Sequence, residues 1–211
     1  MSKETDFEQV LRIESLRRQG NLNGAIQLAQ RFLSQYPMNI EMHEMLGSLY
    51  GQLGLWNDAL REYQEILKID PDYPDFKGLC ASMAVAHFNT GNFEKAINEF
   101  QIALEAKPND PSSRFLLARC FFKLGRYDEA IREYTYCEPL HPEKALVYFG
   151  MGEAYYFQDK IEKAIENFQR SVEIAPDEGE IHFRLAQCYE KQGNRILANN
   201  EFQIAKELGF S

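Results

Sequence analysis

The sequence predicts an all-α protein built from six helical hairpins, and three observations support this fold class. Alanines recur 34, 37, 34, 34 and 34 residues apart, at Ala25, Ala59, Ala96, Ala130, Ala164 and Ala198. A glycine or aspartate lies five residues before each alanine, and a proline follows five of the six by twelve residues. The apolar residues between these marks have helical spacing. We therefore predict an α-solenoid of about twelve antiparallel helices.

Each period contains a first helix (A), a tight turn and a second helix (B). In the second period, one apolar stripe runs over residues 45–53 and another over 56–69. Gly54 ends helix A, because glycine readily adopts the left-handed conformation that closes a helix. Pro71 ends helix B, because proline cannot continue a helix interior.

Small residues explain why the two helices pair. Helix A repeats a large residue beside a small one, as at Leu46-Gly47, and the repeated alanine of helix B sits opposite. Small residues on both sides allow the helix axes to approach closely. One hairpin cannot bury both of its faces, so neighbouring hairpins are expected to stack.

This pattern is similar to that of the tetratricopeptide repeat family. In the second period the resemblance rests on Leu46, Gly47, Tyr50, Gly54, Trp56, Ala59, Tyr63 and Pro71, and later periods repeat it. It implies a right-handed superhelix and a single domain over residues 1–211. The expected repeats are 6–39, 40–73, 77–110, 111–144, 145–178 and 179–211.

The first and last repeats depart from the pattern. Arg12 and Ile13 stand where a large and a small residue are expected, so the first helix should pack differently or cap the stack. Asn199 and Lys206 replace residues that are apolar in earlier repeats. A polar outer face is what a terminal repeat requires, so no seventh helix pair is expected.

Two further departures predict local features. Asp75 follows Pro74 in a three-residue insertion and is expected to cap the third A helix. Pro139 should end the fourth B helix about one turn early.

Composition and charge disfavour several function classes. The 211 residues are 45% hydrophobic and 26% charged, an ordinary globular composition. The formal net charge of −9 argues against binding to nucleic acid and to anionic membrane surfaces. There is no apolar run of about 18 residues, and the polar start lacks the apolar stretch of a signal peptide. We expect a cytoplasmic protein that does not insert into membranes.

Neither cysteines nor glycines predict a metal or cofactor site. Gly150-Met151-Gly152 is followed by Tyr155 instead of a third glycine, and no strand precedes it, which argues against dinucleotide binding. No two cysteines form a CxxC pair, so reduced and buried thiols are expected at Cys80, Cys120, Cys137 and Cys188, of which Cys80 lies near a helix start.

The histidines also predict no catalytic or zinc site. His43 and His182 share one repeat position but lie four repeats apart, and no HExxH spacing exists. His87 fills a slot that holds aromatic residues elsewhere, so it is expected to be a packed histidine with its hydrogen bonds satisfied. His141 lies in a loop.

The resemblance implies an inner surface lined mainly by A helices. Its positions are the second, fifth, ninth, twelfth and thirteenth of each repeat, with the sixth nearby, and they avoid the stripe that packs on helix B. Aromatic residues cluster there from repeat three to repeat six. The candidate peptide-binding residues are Phe88, Asn89, Phe115, Arg119, Phe122, Lys123, Phe149, Tyr156, Phe183 and Arg184.

The role of the aromatic residues is left open between ligand contact and packing. The fifth-position phenylalanines of repeats four to six favour ligand contact, with lateral packing as the alternative. The twelfth-position aromatics of repeats three to five favour packing. Arg119, Lys123 and Arg184 suit an acidic group on the ligand. The carboxylate clamp of chaperone-binding relatives is excluded, because no ninth position is Asn.

These observations predict a non-enzymatic scaffold or adaptor without a cofactor. Its groove would hold a partner peptide or helix by aromatic anchoring. One alternative is a homo-oligomer, with the groove filled by a second copy or by its residues 1–15. Another is an accessory or regulatory subunit of an enzyme complex.

Overall fold

A computed structural model describes residues 6–210, with side chains from residue 7 onward. Residues 1–5 and 211 lie outside the described part, so the suggested occupant at residues 1–15 is only partly visible. Within residues 6–210 the regular structure is twelve α-helices and no strand. The chain forms two compact units, 1–106 and 107–211, which are described separately.

The first unit contains three consecutive helical hairpins. Each helix packs against the next one along the chain, as expected for stacked repeats. The helices are α1 (Asp6–Arg18), α2 (Leu22–Gln35), α3 (Ile40–Gln52), α4 (Trp56–Ile69), α5 (Phe76–Asn89) and α6 (Phe93–Ala106).

The second unit repeats this arrangement with three more hairpins. Its helices also pack in chain order. They are α7 (Pro111–Lys123), α8 (Tyr127–Cys137), α9 (Lys144–Phe157), α10 (Ile161–Ile174), α11 (Gly179–Lys191) and α12 (Arg195–Glu207). The predicted all-α hairpin repeat is confirmed, whereas the right-handed superhelix and the single domain stay predictions.

Every turn from helix A to helix B uses a residue in the left-handed conformation. Five are glycines with φ between 72° and 82°, namely Gly20, Gly54, Gly91, Gly125 and Gly193, and the sixth is Asp159 with φ of 59°. Aspartate is one of the few other residues that enter this region readily. The reversal lets the Leu55 N–H donate back to the Tyr50 carbonyl at 2.9 Å. The predicted helix ends are therefore confirmed.

The two local predictions about helix ends are also confirmed. The Asp75 carboxylate accepts a hydrogen bond from the Gly78 N–H at 3.2 Å, and α5 has 14 residues where α3 has 13. Helix α8 ends at Cys137, two residues before Pro139, and has 11 residues where α10 has 14.

Close contact between helices A and B holds each hairpin together. The six repeated alanines are between 0% and 3% exposed. A Cβ added at Gly47 would lie 2.4 Å from the Tyr63 ring, and one at Gly152 would lie 2.7 Å from Phe168. These distances are too short for a side chain, so the small residues are required by the packing.

The first and last helices differ from the others as the sequence suggests. Ile13 is fully buried in a cluster formed by α1, α2 and α3. Asn199 and Lys206 on α12 are exposed. The outer surface of α12 is nevertheless mixed, because Ile196 is 76% exposed and Ile204 is 37% exposed.

No helix within residues 6–210 has the length and apolar character needed to cross a bilayer.

Candidate functional site

The three fifth-position phenylalanines of the second unit all pack within their own hairpin. Each ring contacts the aromatic residue that lies four positions after the repeated alanine of helix B. The ring centroids are 5.7 Å apart for Phe115 and Tyr134, 5.6 Å for Phe149 and Phe168, and 5.4 Å for Phe183 and Phe202. All three phenylalanines stay partly exposed, so this packing does not seal them from solvent.

Two of the three have further neighbours that cover them. Phe115 lies 4.7 Å from the His141 ring, and the Arg119 guanidinium lies 5.9 Å from its centroid. Phe183 lies 5.3 Å from Phe210, which follows the end of α12. Phe149 differs from both because it borders two cavities.

The smaller cavity lies between α7 and α9 and has a volume of about 200 Å³. Its glycine is required, since a Cβ on Gly150 would lie 2.5 Å from the Tyr134 ring. The lining residues are Phe115, Arg119, Tyr134, Leu146, Phe149, Gly150 and Glu153.

The larger cavity lies where α9 and α11 begin and α10 ends, with a volume of about 390 Å³. Its apolar lining includes Leu146, Phe149, Ile174 and Ile181, and its rim carries Glu143, Lys144, Glu178 and Glu180. Leu146 is 46% exposed and Ile174 is 50% exposed. Because Leu146 and Phe149 line both cavities, they form an apolar ridge between them, which we call the Leu146–Phe149 ridge.

A charged cluster lies further along the same helices. Arg184 Nη2 and Glu153 Oε1 are 3.2 Å apart, and Arg184 Nη1 donates to Gln187 at 3.2 Å. Burial raises the pKa of Glu153 above its ordinary value, and the positive charges of Arg184, Lys123 and Arg119 act in the opposite direction. Arg184 is thus paired with Glu153 and partly exposed, whereas Lys123, the last residue of α7, is exposed.

The twelfth-position aromatics of the second unit pack near the turns but remain partly exposed. Phe122 lies 5.6 Å from Tyr127 and 5.7 Å from Phe157, and the last two rings stack at 11°. Lys191 Nζ lies 4.2 Å from the Tyr156 centroid. Phe157 is 52% exposed and occupies the thirteenth position of repeat five, one of the expected inner-surface positions, whereas Tyr127 was not predicted to lie near the site.

The two remaining predicted residues lie in the first unit. The ring of Phe88 lies 5.8 Å from Phe93, at the start of helix α6. The Asn89 side-chain amide donates to the Val85 carbonyl at 2.8 Å within its own helix, and Asn89 is exposed.

The buried thiols are confirmed, and they include Cys80. All four cysteines are free and buried. Burial raises the pKa to about 11 for Cys80 and to about 12 for Cys120 and Cys188, so these groups stay protonated thiols at neutral pH. Among the residues that the structure describes, no three His, Cys, Asp or Glu side chains are placed to hold a metal ion.

Sequence reasoning missed a polar clip at the fourth position of three repeats. The side chain there contacts a glutamate nineteen residues later on helix B and a proline carbonyl six residues earlier. His43 lies 2.7 Å from Glu62 and 3.0 Å from the Pro37 carbonyl. Arg114 lies 2.6 Å from Glu133 and 2.8 Å from the Pro108 carbonyl. His182 lies 2.6 Å from Glu201 and 2.9 Å from the Pro176 carbonyl. The spacing of nineteen residues is the signal that could have revealed it.

Repeat three lacks this clip because Cys80 occupies the fourth position. The equivalent glutamate is Glu99, whose Oε2 is buried and has no hydrogen-bond partner among the described residues. Burial raises its pKa to about 7. His87 Nε2 lies 3.6 Å from Glu99 Oε1. His87 is buried as predicted. The prediction that its hydrogen bonds are satisfied is wrong, since its Nδ1 has no hydrogen-bond partner in the described part of the chain.

The helices form stacked antiparallel hairpins. Each turn contains a residue in the left-handed conformation, and small residues lie at each helix contact. This arrangement defines a helical-hairpin repeat protein. Family models described as tetratricopeptide repeat match residues 16–83 and 82–137, and one described as TPR repeat matches 152–193. The chain belongs to the tetratricopeptide repeat family.

Curated relatives match only parts of this chain. The photosystem I assembly protein Ycf3 of Synechococcus sp. (strain CC9605) is 36% identical over 59 residues, 28% of this chain and 34% of that protein. BBSome complex member BBS4 of Bos taurus is 30% identical over 105 residues, 49% of this chain and 19% of that protein. These two matches span 34% and 19% of the length of those relatives, and another match reaches 47%.

Solved structures share the fold. MamA from Desulfovibrio magneticus RS-1 superposes with a TM-score of 0.74 at 22% identity, covering 81% of this chain and 94% of that one. A tetratricopeptide repeat protein from Parabacteroides merdae gives a TM-score of 0.65 at 22% identity, covering 98% and 81%.

Proposed function

We propose that this chain is a non-enzymatic protein-interaction scaffold that holds a partner peptide or helix by aromatic anchoring. The observation that carries this proposal is the Leu146–Phe149 ridge, an apolar surface with a cavity on each side. Contiguous exposed apolar surface of this kind marks interaction sites.

The proposed contacts combine aromatic and basic side chains of the inner face. In the second unit they are Phe115, Arg119, Phe122, Lys123, Phe149, Tyr156, Phe183 and Arg184, with Phe149 central because it borders both cavities. Phe88 and Asn89 are proposed as contacts of the first unit.

The number of anchors sets the expected affinity. Each fully buried apolar side chain of the partner contributes about 1.5–3 kcal/mol. Association costs about 4–15 kcal/mol. Two or three anchors therefore leave at most about 5 kcal/mol, which favours weak and reversible binding over permanent assembly.

The curated relatives support a role in multi-protein assemblies. One is named for the assembly of photosystem I and the other as a member of the BBSome complex. We infer a similar kind of role here, with a different and unnamed partner.

Affinity capture with a matched pair of variants tests the proposal. Leu146→Glu places a charge on the ridge, and Ile196→Glu places the same charge on α12 at a side chain that is 76% exposed. Both sites are exposed enough to leave the fold intact. We expect wild type and Ile196→Glu to retain the same proteins and Leu146→Glu to lose them. Equal retention by all three would contradict the proposal.

Sedimentation of the same variants tests the alternative occupant. A dimer that Leu146→Glu abolishes and Ile196→Glu preserves would show that a second copy of this chain fills the groove.

A further inference from the structure

We propose that the inner face of the second unit selects an extended peptide of fixed charge polarity. Such a peptide carries a basic residue on one side of its apolar anchors and an acidic residue on the other. This inference rests on the proposed function and specifies its ligand.

The larger cavity provides the acidic end. Glu143, Glu178 and Glu180 lie on its rim, and all three are exposed. Lys144 is the one cation among the lining residues described, and its Nζ lies 3.7 Å from Glu138, which offsets it.

Helix dipoles do not cancel this negative charge. The helices α9 and α11 begin at the cavity, and each N-terminus contributes about half a positive charge, whereas α10 ends there and its C-terminus contributes about half a negative charge. Together with three carboxylates this leaves a net charge of about −2.5, which attracts a cationic side chain. The apolar floor beneath them accepts the hydrocarbon stem of a lysine or arginine.

The basic end lies one to three helical turns further along the A helices. Its cations are Arg119, Lys123, Arg184 and Lys191, and its carboxylates are Glu153, Glu190 and Asp159, which lies 3.3 Å from Lys191 Nζ. Four cations against three carboxylates give a net charge of +1. An acidic group on the ligand is favoured at this end.

Helix geometry gives the spacing between the two charges in the ligand. On α11, the four residues from Glu180 to Arg184 span about 6 Å, and the eleven residues from Glu180 to Lys191 span about 16 Å. Cavities of about 200 and 390 Å³ hold side chains but not a helix of about 10 Å diameter. An extended chain advances about 3.3 Å per residue, so the charges should lie about two to five residues apart.

Selection from a phage-displayed library of random dodecapeptides on the immobilised full chain tests the inference. We expect enriched sequences with an apolar pair flanked by a basic and an acidic residue in one order. A synthetic copy of the best sequence with its two charged residues exchanged should bind about five-fold more weakly or worse. Enriched sequences without such polarity would overturn the inference.

Charge-removing variants with matched controls identify the contacts. Glu180→Gln and Lys123→Gln should each weaken binding of the selected peptide about two- to five-fold, the range of one exposed ion pair. The exposed Glu162→Gln and Arg195→Gln, which line neither cavity, should not. Equal affinity of all four variants would overturn the charge polarity.

The Leu146→Glu variant separates the two hypotheses. If the selected peptides lack charge polarity but fail to bind Leu146→Glu, only the charge polarity is overturned. If the selected peptides bind Leu146→Glu as tightly as wild type, both the charge polarity and the role of the ridge as an anchor are overturned.

Discussion

The two units share the same helical-hairpin scaffold but differ at the inner-face positions, which the repeat pattern does not specify. At the fifth position, the first unit has Val10, Glu44 and Ala81, whereas the second has three phenylalanines. A cavity of about 260 Å³ in the first unit is lined by Arg17, Glu41, Glu44, Met45 and Ser48, a mainly polar set. The larger cavity of the second unit has an apolar floor. The repeat thus specifies the fold in both units, and the inner positions specify what each can bind.

Repeats three and four, which lie in different units, also differ in how they compensate the glutamate of the clip. In the second unit Arg114 Nη1 lies 2.6 Å from Glu133. In the first unit the equivalent Glu99 has no such cation, because Cys80 stands at the clip position. Burial therefore raises the pKa of Glu99 to about 7 in a repeat that lacks the clip.

The largest expected effect comes from removing the uncompensated charge. Unfolded Glu99 ionises near its ordinary pKa of 4.5, and folded Glu99 near a pKa of about 7. Stability therefore falls as pH rises between these values and stays reduced above them. Glu99→Gln should stabilise the protein at pH 8 by up to about 3 kcal/mol and by little at pH 4. Urea unfolding at both pH values measures this.

Glu133→Gln provides the opposite control. It weakens an ion pair instead of removing an uncompensated charge, so it should destabilise the protein at pH 8. Stabilisation by both variants would contradict the difference between the repeats.

A second prediction concerns the scaffold that the units share. Gly47→Val and Gly152→Val should each destabilise the protein by about 2–3 kcal/mol, because the added side chains collide with Tyr63 and Phe168. Chemical denaturation measures both. A large loss in one unit and none in the other would show that the hairpins are not built alike.

A third prediction tests the clip. Arg114→Met leaves Glu133 without its cation and the Pro108 carbonyl without its donor, and should cost about 1–3 kcal/mol. The double variant Arg114→Met/Glu133→Leu should recover part of this loss, since no carboxylate is then left unpaired. No recovery in the double variant would mean that the pair does not act as a unit.

The smallest expected effect comes from altering the polar inner face of the first unit. Glu44→Ala should leave binding of a peptide selected on the ridge within two-fold of wild type, because Glu44 lines a cavity of the other unit. Fluorescence anisotropy measures this. A larger loss would show that the selected peptide depends on the first unit as well.

Periodic apolar spacing made the helices, turns and hairpin contacts predictable. In the second repeat, Ala59 allows close helix contact, Gly54 ends helix A and Pro71 ends helix B, and each effect follows from the residue type alone. Pro139 likewise ends α8 early, because proline cannot continue a helix interior. The burial of Cys120, Cys137 and Cys188 was also predictable, because these cysteines occupy repeat positions that hold small residues elsewhere.

The binding surface was less predictable because it depends on which side chains cover one another in the folded structure. Phe115, Phe149 and Phe183 occupy one repeat position, yet His141 and Phe210 cover two of them and leave Phe149 between cavities. Arg184 pairs with Glu153 on a different helix, and spacing within one repeat does not show this. The polar clips were not predicted, because polar side chains form them and the apolar pattern does not include these positions.

The most direct test of the Leu146–Phe149 ridge is isothermal titration of the selected peptide into wild type, Leu146→Glu and Ile196→Glu. Loss of one buried anchor should weaken binding to Leu146→Glu by about ten-fold or more and leave Ile196→Glu unchanged. Equal affinity for all three proteins would contradict the ridge as the anchoring surface.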